Sequence, residues 1–182
     1  MRMGRTVPEG ALAERVLKLR DEAFRVIRPA QIWRRFPAAA GALGSGDLRI
    51  GIFGTLARHL AGCQAVYLAC GTIGAAFDAF QRRVSVSSGT DALIAQAIGA
   101  ALIEKLMDSV EDEIRTDLAD GETLVSRYSP GYGDLPLAAQ RTLLALLDAP
   151  RTVGVSLTAT LLMVPSKSVS AIIGVKKGGP AQ

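Results

Sequence analysis

"GTDALIAQAIGAALIEKLMDSVEDEIRT", residues 89–116, decides the fold class of this chain. Apolar residues recur along it at every fourth position, which is the spacing of one face of an α-helix. The ridge that they predict consists of Ile94, Ile98, Leu102, Leu106, Val110 and Ile114. Carboxylates occupy the other side, at Glu104, Asp108, Glu111, Asp112 and Glu113. Ser88 lies three residues before Asp91 in the pattern of a capping box, so we expect one long helix over 89–116.

Upstream of this helix the sequence predicts shorter elements. Residues 8–28 have a helical period, and Pro29 ends it. Residues 37–47 are small and turn-forming, which predicts a loop. Beyond the loop we expect a strand at 48–52, a short helix at 55–60 and a buried strand at 63–70. The segment 71–84 opens with glycines and then becomes helical.

Downstream of the long helix the pattern becomes rich in β-forming residues. "ETLVSRY" (122–128) predicts a strand, and Asp134 with Pro136 predicts the capped start of a helix that runs to about Leu147. Short turns join three further β-rich runs, at 152–158, 161–165 and 168–175. We therefore expect helices in the first two thirds of the chain and a sheet in the last third, which the strand at 64–70 joins.

These elements predict an α+β fold in which an antiparallel β-sheet is packed with long helices. The 182 residues suit a single compact domain. Within it we expect an N-terminal helix and loop over 1–44, the α+β domain proper over 45–176 and a frayed tail over 177–182.

Composition argues against a nucleic-acid partner and a membrane partner. The net charge is +4, but aromatic residues make up only 5%, too few for a base-stacking platform. We interpret the local basic excess at Arg25, Arg28, Arg34 and Arg35 as solvated side chains. Polar residues interrupt the apolar tract around 61–80, and charges occupy the N-terminus where a signal peptide needs an apolar run. A cytoplasmic location is therefore expected.

The residues that usually carry catalysis or bind metal are scarce. His59 is the only histidine, which argues against a multi-histidine metal site and against a Ser–His–Asp triad. Cys63 and Cys70 fit neither a disulfide framework nor a zinc site, and we expect structural, reduced thiols. The sequence therefore predicts no catalytic side chain and no metal ligand.

The stretch "SRYSPGYGDLP", residues 126–136, predicts a constrained loop that suits a small ligand. Gly131 and Gly133 allow the backbone to bend so that successive N–H groups point at one spot. Arg127 offers a planar fork that can hold a carboxylate by two hydrogen bonds, and Tyr132 places a ring nearby. A tight connection between a strand and a helix, without a ligand, is the alternative that these residues leave open.

The same loop carries a family resemblance. "RYSPGY" (127–132) fits the Arg-x-x-x-Gly-Tyr motif of the activation domain of cobalamin-dependent methionine synthase. Residues 129–175 are similar to the C-terminal half of that domain, including its Gly-x-x-Leu-Thr and Pro-x-x-Ser-Val-Ser stretches. "GCQAVYLACGTIGAAFD" (62–78) resembles the strand and Thr-x-Gly turn of its short, free-standing members. The resemblance spans residues 45–175 and implies a fold like that of the methionine synthase activation domain.

The resemblance also implies a ligand and a function. In that family the domain binds S-adenosylmethionine, and it supports the reactivation of oxidised cobalamin. One-electron reduction by flavodoxin or a similar donor is coupled there to methyl transfer from S-adenosylmethionine. Carried over by motif, the ligand-binding residues are Arg127 at the ligand carboxylate, with Ser129, Gly131 and Tyr132. The family's acidic ligand contact on the long helix falls here on Ala100, and Glu104, one helical turn later, is the expected substitute, with a solvated carboxylate as the alternative.

The resemblance implies a partner as well. No Asp-x-His-x-x-Gly sequence for cobalamin binding is present, so the chain would act in trans on a corrinoid protein, such as a methionine synthase lacking this domain. Whether it is itself an enzyme stays open; if so, it is an accessory part of a methyltransferase. The family's His-Pro…Tyr segment, which also touches the ligand, does not follow residues 168–175 here. The alternative is therefore a docking module for a corrinoid protein that has lost S-adenosylmethionine binding.

Overall fold

A computed structural model describes residues 9–38, 41–45 and 48–178. The helices in these residues are α1 (Gly10–Val26), α2 (Gly54–His59), α3 (Ala75–Ser87), α4 (Gly89–Thr116), α5 (Ala139–Leu147) and α6 (Ala149–Thr152). The strands are β1 (Ala30–Pro37), β2 (Ala42–Ser45), β3 (Leu48–Gly51), β4 (Cys63–Thr72), β5 (Glu122–Leu124), β6 (Ser156–Leu157), β7 (Met163–Val164) and β8 (Ser168–Lys177). None of the helices in the described residues is long and apolar enough to cross a membrane.

A four-stranded antiparallel sheet forms the centre of the molecule. Its strand order is β1-β4-β8-β5, and Leu68 of β4 pairs with Ile172 of β8 near the middle of the longest ladder. The two central strands are apolar almost throughout because helices cover both faces of the sheet. The β2–β3 hairpin and the β6–β7 hairpin lie outside this sheet.

Successive residues of β4 feed two different cores, one on each face of the sheet. Leu68 and Cys70 face a cluster that includes Leu143 and Leu147 of α5. Tyr67 faces the opposite cluster, which α4 builds with Met107, Val110 and Ile114. The alternation of side chains across a strand therefore places α5, α2 and the β2–β3 hairpin on one face and α4 on the other.

A third cluster joins α1, α3 and the first half of α4 and includes Leu19, Phe77 and Ala95. The helices meet closely at Gly99, where an added Cβ would lie 2.5 Å from Cε1 of Phe77. Only a residue without a side chain fits at this crossing.

The fold class is confirmed: the molecule is an α+β domain whose antiparallel sheet is packed with long helices. The helix predicted over 89–116 is present as α4, and the backbone N–H of Asp91 donates to the Ser88 hydroxyl at 3.3 Å. The strand predicted at 63–70 joins the central sheet as β4.

The expected location of the sheet in the last third of the chain is wrong. Of the β-rich runs after residue 150, only β8 enters the central sheet, whereas β6 and β7 pair with each other over two residues. The strand β1 was not predicted, and residues 42–45, expected as loop, form β2. β1 is an edge strand with one neighbour, so it carries exposed arginines that hide its strand pattern.

The buried face of α4 also differs from the predicted ridge. Its buried positions are Asp91, Ala95, Gly99, Ile103, Met107, Val110 and Ile114. Ile94, Ile98, Leu102 and Leu106 of the ridge are only partly buried, against the α1–α3 cluster. The reason is that α4 packs on other helices in its first half and on the sheet in its second half, so its buried face shifts along its length.

Two smaller predictions, the cap at Asp134 and the length of the strand at 122–128, are also wrong. Asp134 does not cap α5, which begins at Ala139; its carboxylate accepts the backbone N–H of Thr55 in α2. The strand expected over 122–128 ends at Leu124, and Tyr128 forms a single isolated bridge to Ile172. Residues 1–8, 39–40, 46–47 and 179–182 lie outside the described residues, including most of the expected tail.

Candidate ligand-binding site

The loop predicted to bind a ligand links β5 to α5 and is closed by its own backbone. The N–H of Gly131 donates to the Leu135 carbonyl at 2.9 Å, and the N–H of Tyr132 donates to the Ser129 carbonyl at 3.1 Å. Gly131 and Gly133 have φ angles of 91° and 54°, which favour glycine. The N–H groups of Gly131 and Tyr132 therefore have partners within the loop.

Arg127 lies on the side of the loop that faces α4, and its guanidinium contacts three carboxylates of that helix. Nη2 donates to Glu104 at 3.0 Å and to Asp108 at 3.2 Å, where Nη1 also donates at 3.2 Å. Nε lies 3.3 Å from Glu111. The structure thus brings together Arg127 and Glu104, the two charged residues predicted for the site.

This cluster of Arg127, Glu104, Asp108 and Glu111, which we call the acidic clasp, has an excess of two negative charges. Its members differ in exposure: the side chain of Glu104 is 64% exposed and that of Asp108 is 56% exposed, but Glu111 is only 17% exposed. Exposed ion pairs contribute little to stability, so Glu104 and Asp108 can exchange partners at low cost.

The other two predicted residues with polar side chains, Ser129 and Tyr132, have different surroundings in the loop. The Ser129 hydroxyl donates to the Ser170 carbonyl at 2.9 Å, which ties the loop to the edge of β8. Tyr132 is 69% exposed and its ring lies 6.2 Å from that of Tyr128. Ser170 is 1% exposed, and its hydroxyl has no hydrogen-bond partner among the described residues. A buried, unpaired polar atom thus lies beside the loop at its attachment to the sheet.

Helix α2 holds the other side of the loop through residues that the sequence did not identify as part of a site. The Thr55 hydroxyl lies 2.7 Å from the Tyr128 hydroxyl, and its backbone N–H donates to Asp134 at 3.0 Å. His59 Nε2 lies 2.8 Å from the Ser126 carbonyl oxygen. These contacts join residues 67 to 79 positions apart, so no local pattern in the sequence could have indicated them.

The thiols and a cavity elsewhere offer no comparable chemistry. Burial raises the pKa of Cys70 to about 12 and also raises the pKa of Cys63, so both thiols stay protonated near neutral pH. A cavity of about 290 Å³ lies between α3 and the start of α4. Its carboxylate, Asp78, already accepts hydrogen bonds from the backbone and hydroxyl of Ser166. The loop therefore stays the candidate site, as the motif predicts.

Comparison with known proteins gives a consistent result. The family described as "Vitamin B12 dependent methionine synthase, activation domain" matches residues 72–178. Among solved structures, the crystal structure of the MetH reactivation domain bound to AdoHcy is similar to this chain with a TM-score of 0.55 and 15% sequence identity. The alignment covers 96% of this chain and 69% of that chain, and at this identity it shows a shared fold. A search of curated proteins finds no match.

Proposed function

The chain belongs to the activation-domain family of vitamin B12-dependent methionine synthase, and we propose that it binds S-adenosylmethionine at the loop 126–134 beside the acidic clasp. In this proposal it supports reductive methylation of cobalamin that a partner protein carries. The observation that carries the proposal is the family match together with the Arg-x-x-x-Gly-Tyr motif at residues 127–132. To bind the ligand carboxylate, Arg127 would have to release Glu104 and Asp108, which its guanidinium contacts at 3.0 and 3.2 Å.

The charges of the clasp match those of the ligand. S-adenosylmethionine combines a carboxylate with an ammonium group and a sulfonium centre. Arg127 would pair with the ligand carboxylate through a charge-assisted fork. Glu104 and Asp108, released from Arg127, would face the ammonium or sulfonium charge. The solved reactivation domain with a similar fold contains AdoHcy, a molecule with the same amino-acid and adenosyl ends, which supports this choice of ligand.

The residues present also fit a role that needs no catalytic side chain. When bound, S-adenosylmethionine would supply a methyl group that its sulfonium charge already activates. Arg127 and Glu104 would fix the amino-acid end, and Ser129 holds the loop against β8. Tyr132, exposed at the tip of the loop, would lie against the partner's corrin ring. The chain's contribution is thus to bind, orient and exclude water.

The partner in this proposal is a separate corrinoid protein, such as a methionine synthase that lacks this domain. A flavodoxin-like protein is the expected reductant. Both are proposals that the family membership supports, because the family is named for a domain of vitamin B12-dependent methionine synthase.

Titration calorimetry with S-adenosylmethionine tests the binding step. We expect the wild type to bind and Arg127→Ala to lose about 2 kcal/mol or more of binding free energy, because a charge-assisted pair is removed. Arg83→Ala is the matched control, since Arg83 contacts Glu22 at the same 3.0 Å distance on α3. Equal affinities for wild type and Arg127→Ala would remove Arg127 from the site.

The ion pairs that Arg127 already makes within the chain favour a second function. Because three carboxylates already surround the guanidinium, the chain could act as a docking module that grips a corrinoid protein without the methyl donor. In that case calorimetry gives no heat at millimolar S-adenosylmethionine, while the chain still retains a corrinoid protein in a pull-down. Binding of the methyl donor by the isolated chain rejects this second function.

A further inference from the structure

Helix α2 is short, and its side chains divide between the core and the loop. Leu56 of α2 and Leu60, the residue that directly follows the helix, are buried in the cluster that also contains Leu135. Thr55 and His59, which lie four residues apart, contact the loop instead. Residues at this spacing share one side of a helix. One pair therefore fixes α2 in the core, and the other pair fixes the loop to α2.

Thr55 contacts two loop residues directly and a third through the hydroxyl of Tyr128. Its backbone N–H donates to Asp134 at 3.0 Å, and the Asp134 N–H donates back to the Thr55 hydroxyl at 3.2 Å. The same hydroxyl lies 2.7 Å from the hydroxyl of Tyr128, which donates to the carbonyl of Tyr132 at 3.0 Å. A single threonine thus links Tyr128, Tyr132 and Asp134.

Two glycines make this approach sterically feasible. A Cβ added at Gly54 would lie 1.6 Å from a carboxylate oxygen of Asp134, and one added at Gly133 would lie 2.3 Å from the Thr55 hydroxyl. Both glycines have positive φ angles, 53° and 54°. The contact between α2 and the loop is therefore too close for any side chain at either position.

His59 fixes the opposite end of the loop. Its Nε2 lies 2.8 Å from the Ser126 carbonyl, so the ring donates its Nε2–H there. The ring also packs 5.1 Å from that of Tyr128. Ser126 directly precedes Arg127, and Asp134 follows Gly133, so α2 holds the loop on both sides of the residues assigned to the ligand.

The geometry points to Thr55 and His59 as positioning residues that hold the ligand loop in its binding conformation before the ligand arrives. This inference rests on the proposed function, because it gives the loop its ligand. It extends the site to α2, which lies before the residues that the family match covers. A loop ordered in advance lowers the entropy cost of binding, so loss of these contacts weakens affinity without removing a ligand contact.

Hydrogen exchange on the ligand-free chain tests the anchoring itself. Thr55→Val keeps the shape of the side chain and removes the hydroxyl. We expect the N–H groups of Gly131 and Leu135, which bond within the loop, to exchange about tenfold faster in this variant. Thr55→Ser should stay within about twofold of the wild type. Thr152→Val is the matched control, since its hydroxyl donates to the carbonyl of Asp148, the residue before α6, and lies away from the loop. Unchanged exchange in Thr55→Val would overturn the anchoring.

Titration with S-adenosylmethionine tests the consequence for binding. Thr55→Val and His59→Phe should each weaken binding about three- to tenfold, while Thr55→Ser restores it and Thr152→Val leaves it unchanged. Faster exchange without a change in affinity would overturn the positioning role. If the wild type itself fails to bind, the proposed function and the positioning role both fall, and the exchange data still decide whether α2 anchors the loop.

Discussion

Arg35 of β1 and Glu122 of β5 form an ion pair between the two edge strands of the central sheet. Their closest atoms, Nη2 and Oε1, lie 2.5 Å apart, and a second contact, between Nη1 and Oε2, measures 3.0 Å. The guanidinium also lies 5.6 Å from the ring centroid of Tyr67, which is buried on β4 between them. β1 and β5 are not hydrogen-bonded to each other. The ion pair therefore links the two edge strands across β4 and β8, whereas the hydrogen-bonded ladders of the sheet run between neighbouring strands.

The first prediction concerns acid stability. The hydrogen bond from Arg35, with a further one from the Ala119 backbone, lowers the pKa of Glu122 below its ordinary value of 4.5. A lowered native pKa stabilises the folded state above pH 4.5, and this contribution is lost as the pH falls through the native pKa. We expect Glu122→Gln to be less stable than the wild type at pH 7, with a difference that shrinks towards pH 3.

Denaturant unfolding at several pH values between 7 and 3 measures this difference. Glu14→Gln, which changes an exposed carboxylate of α1, is the control and should track the wild type throughout. A constant difference between Glu122→Gln and wild type over the whole range would show that the carboxylate's charge does not contribute.

The second prediction concerns the crossing of α3 and α4. In Gly99→Ala the new methyl group would meet Phe77 at 2.5 Å and Lys167 at 2.8 Å, so we expect a loss of about 1–3 kcal/mol in the free energy of unfolding. Gly89→Ala, in the first turn of the same helix, meets nothing within 4 Å and should be neutral or stabilising by up to about 1 kcal/mol. Thermal denaturation of both variants separates the effect of the clash at Gly99 from the effect of alanine on helix propensity. Equal melting temperatures for Gly99→Ala and Gly89→Ala would contradict the close crossing of α3 and α4.

The elements that could be predicted are those whose own residues determine them. α4 has 28 residues with an apolar face and a serine cap. β4 is an apolar run that is buried because other elements pack on both faces of the sheet. The local pattern is sufficient to predict such segments, because the helical period and the apolar run of a buried strand are both visible in consecutive residues.

The features that could not be predicted depend on contacts distant in sequence. β1 is a strand because it pairs with β4, although Arg34 and Arg35 disguise it. Asp134 has the residue type and position of a cap for α5 and instead accepts from Thr55, 79 positions away. The site shows the same division: the motif indicates Arg127, but its pairing with three carboxylates follows from how α4 passes the loop.

The third prediction concerns the charge of the ligand. The acidic clasp has two excess negative charges, so S-adenosylmethionine should bind more tightly than S-adenosylhomocysteine, which lacks the sulfonium charge. We expect Glu104→Gln to reduce this preference about two- to fivefold, because one exposed carboxylate is neutralised.

Competition binding with both ligands measures the preference in wild type and variant. Glu113→Gln, on the same helix but in contact with Gln31 of β1, is the control and should leave the preference unchanged. A preference that survives Glu104→Gln intact would place the sulfonium away from Glu104.

Addition of S-adenosylmethionine to the ¹⁵N-labelled chain, followed by amide NMR spectra, tests ligand binding at the loop most directly. We predict that the shifted resonances centre on residues 126–134 and on the facing turns of α4 from Glu104 to Glu111, and that they saturate. An unchanged spectrum at millimolar ligand, or shifts confined to the cavity between α3 and the start of α4, would contradict a site at Arg127.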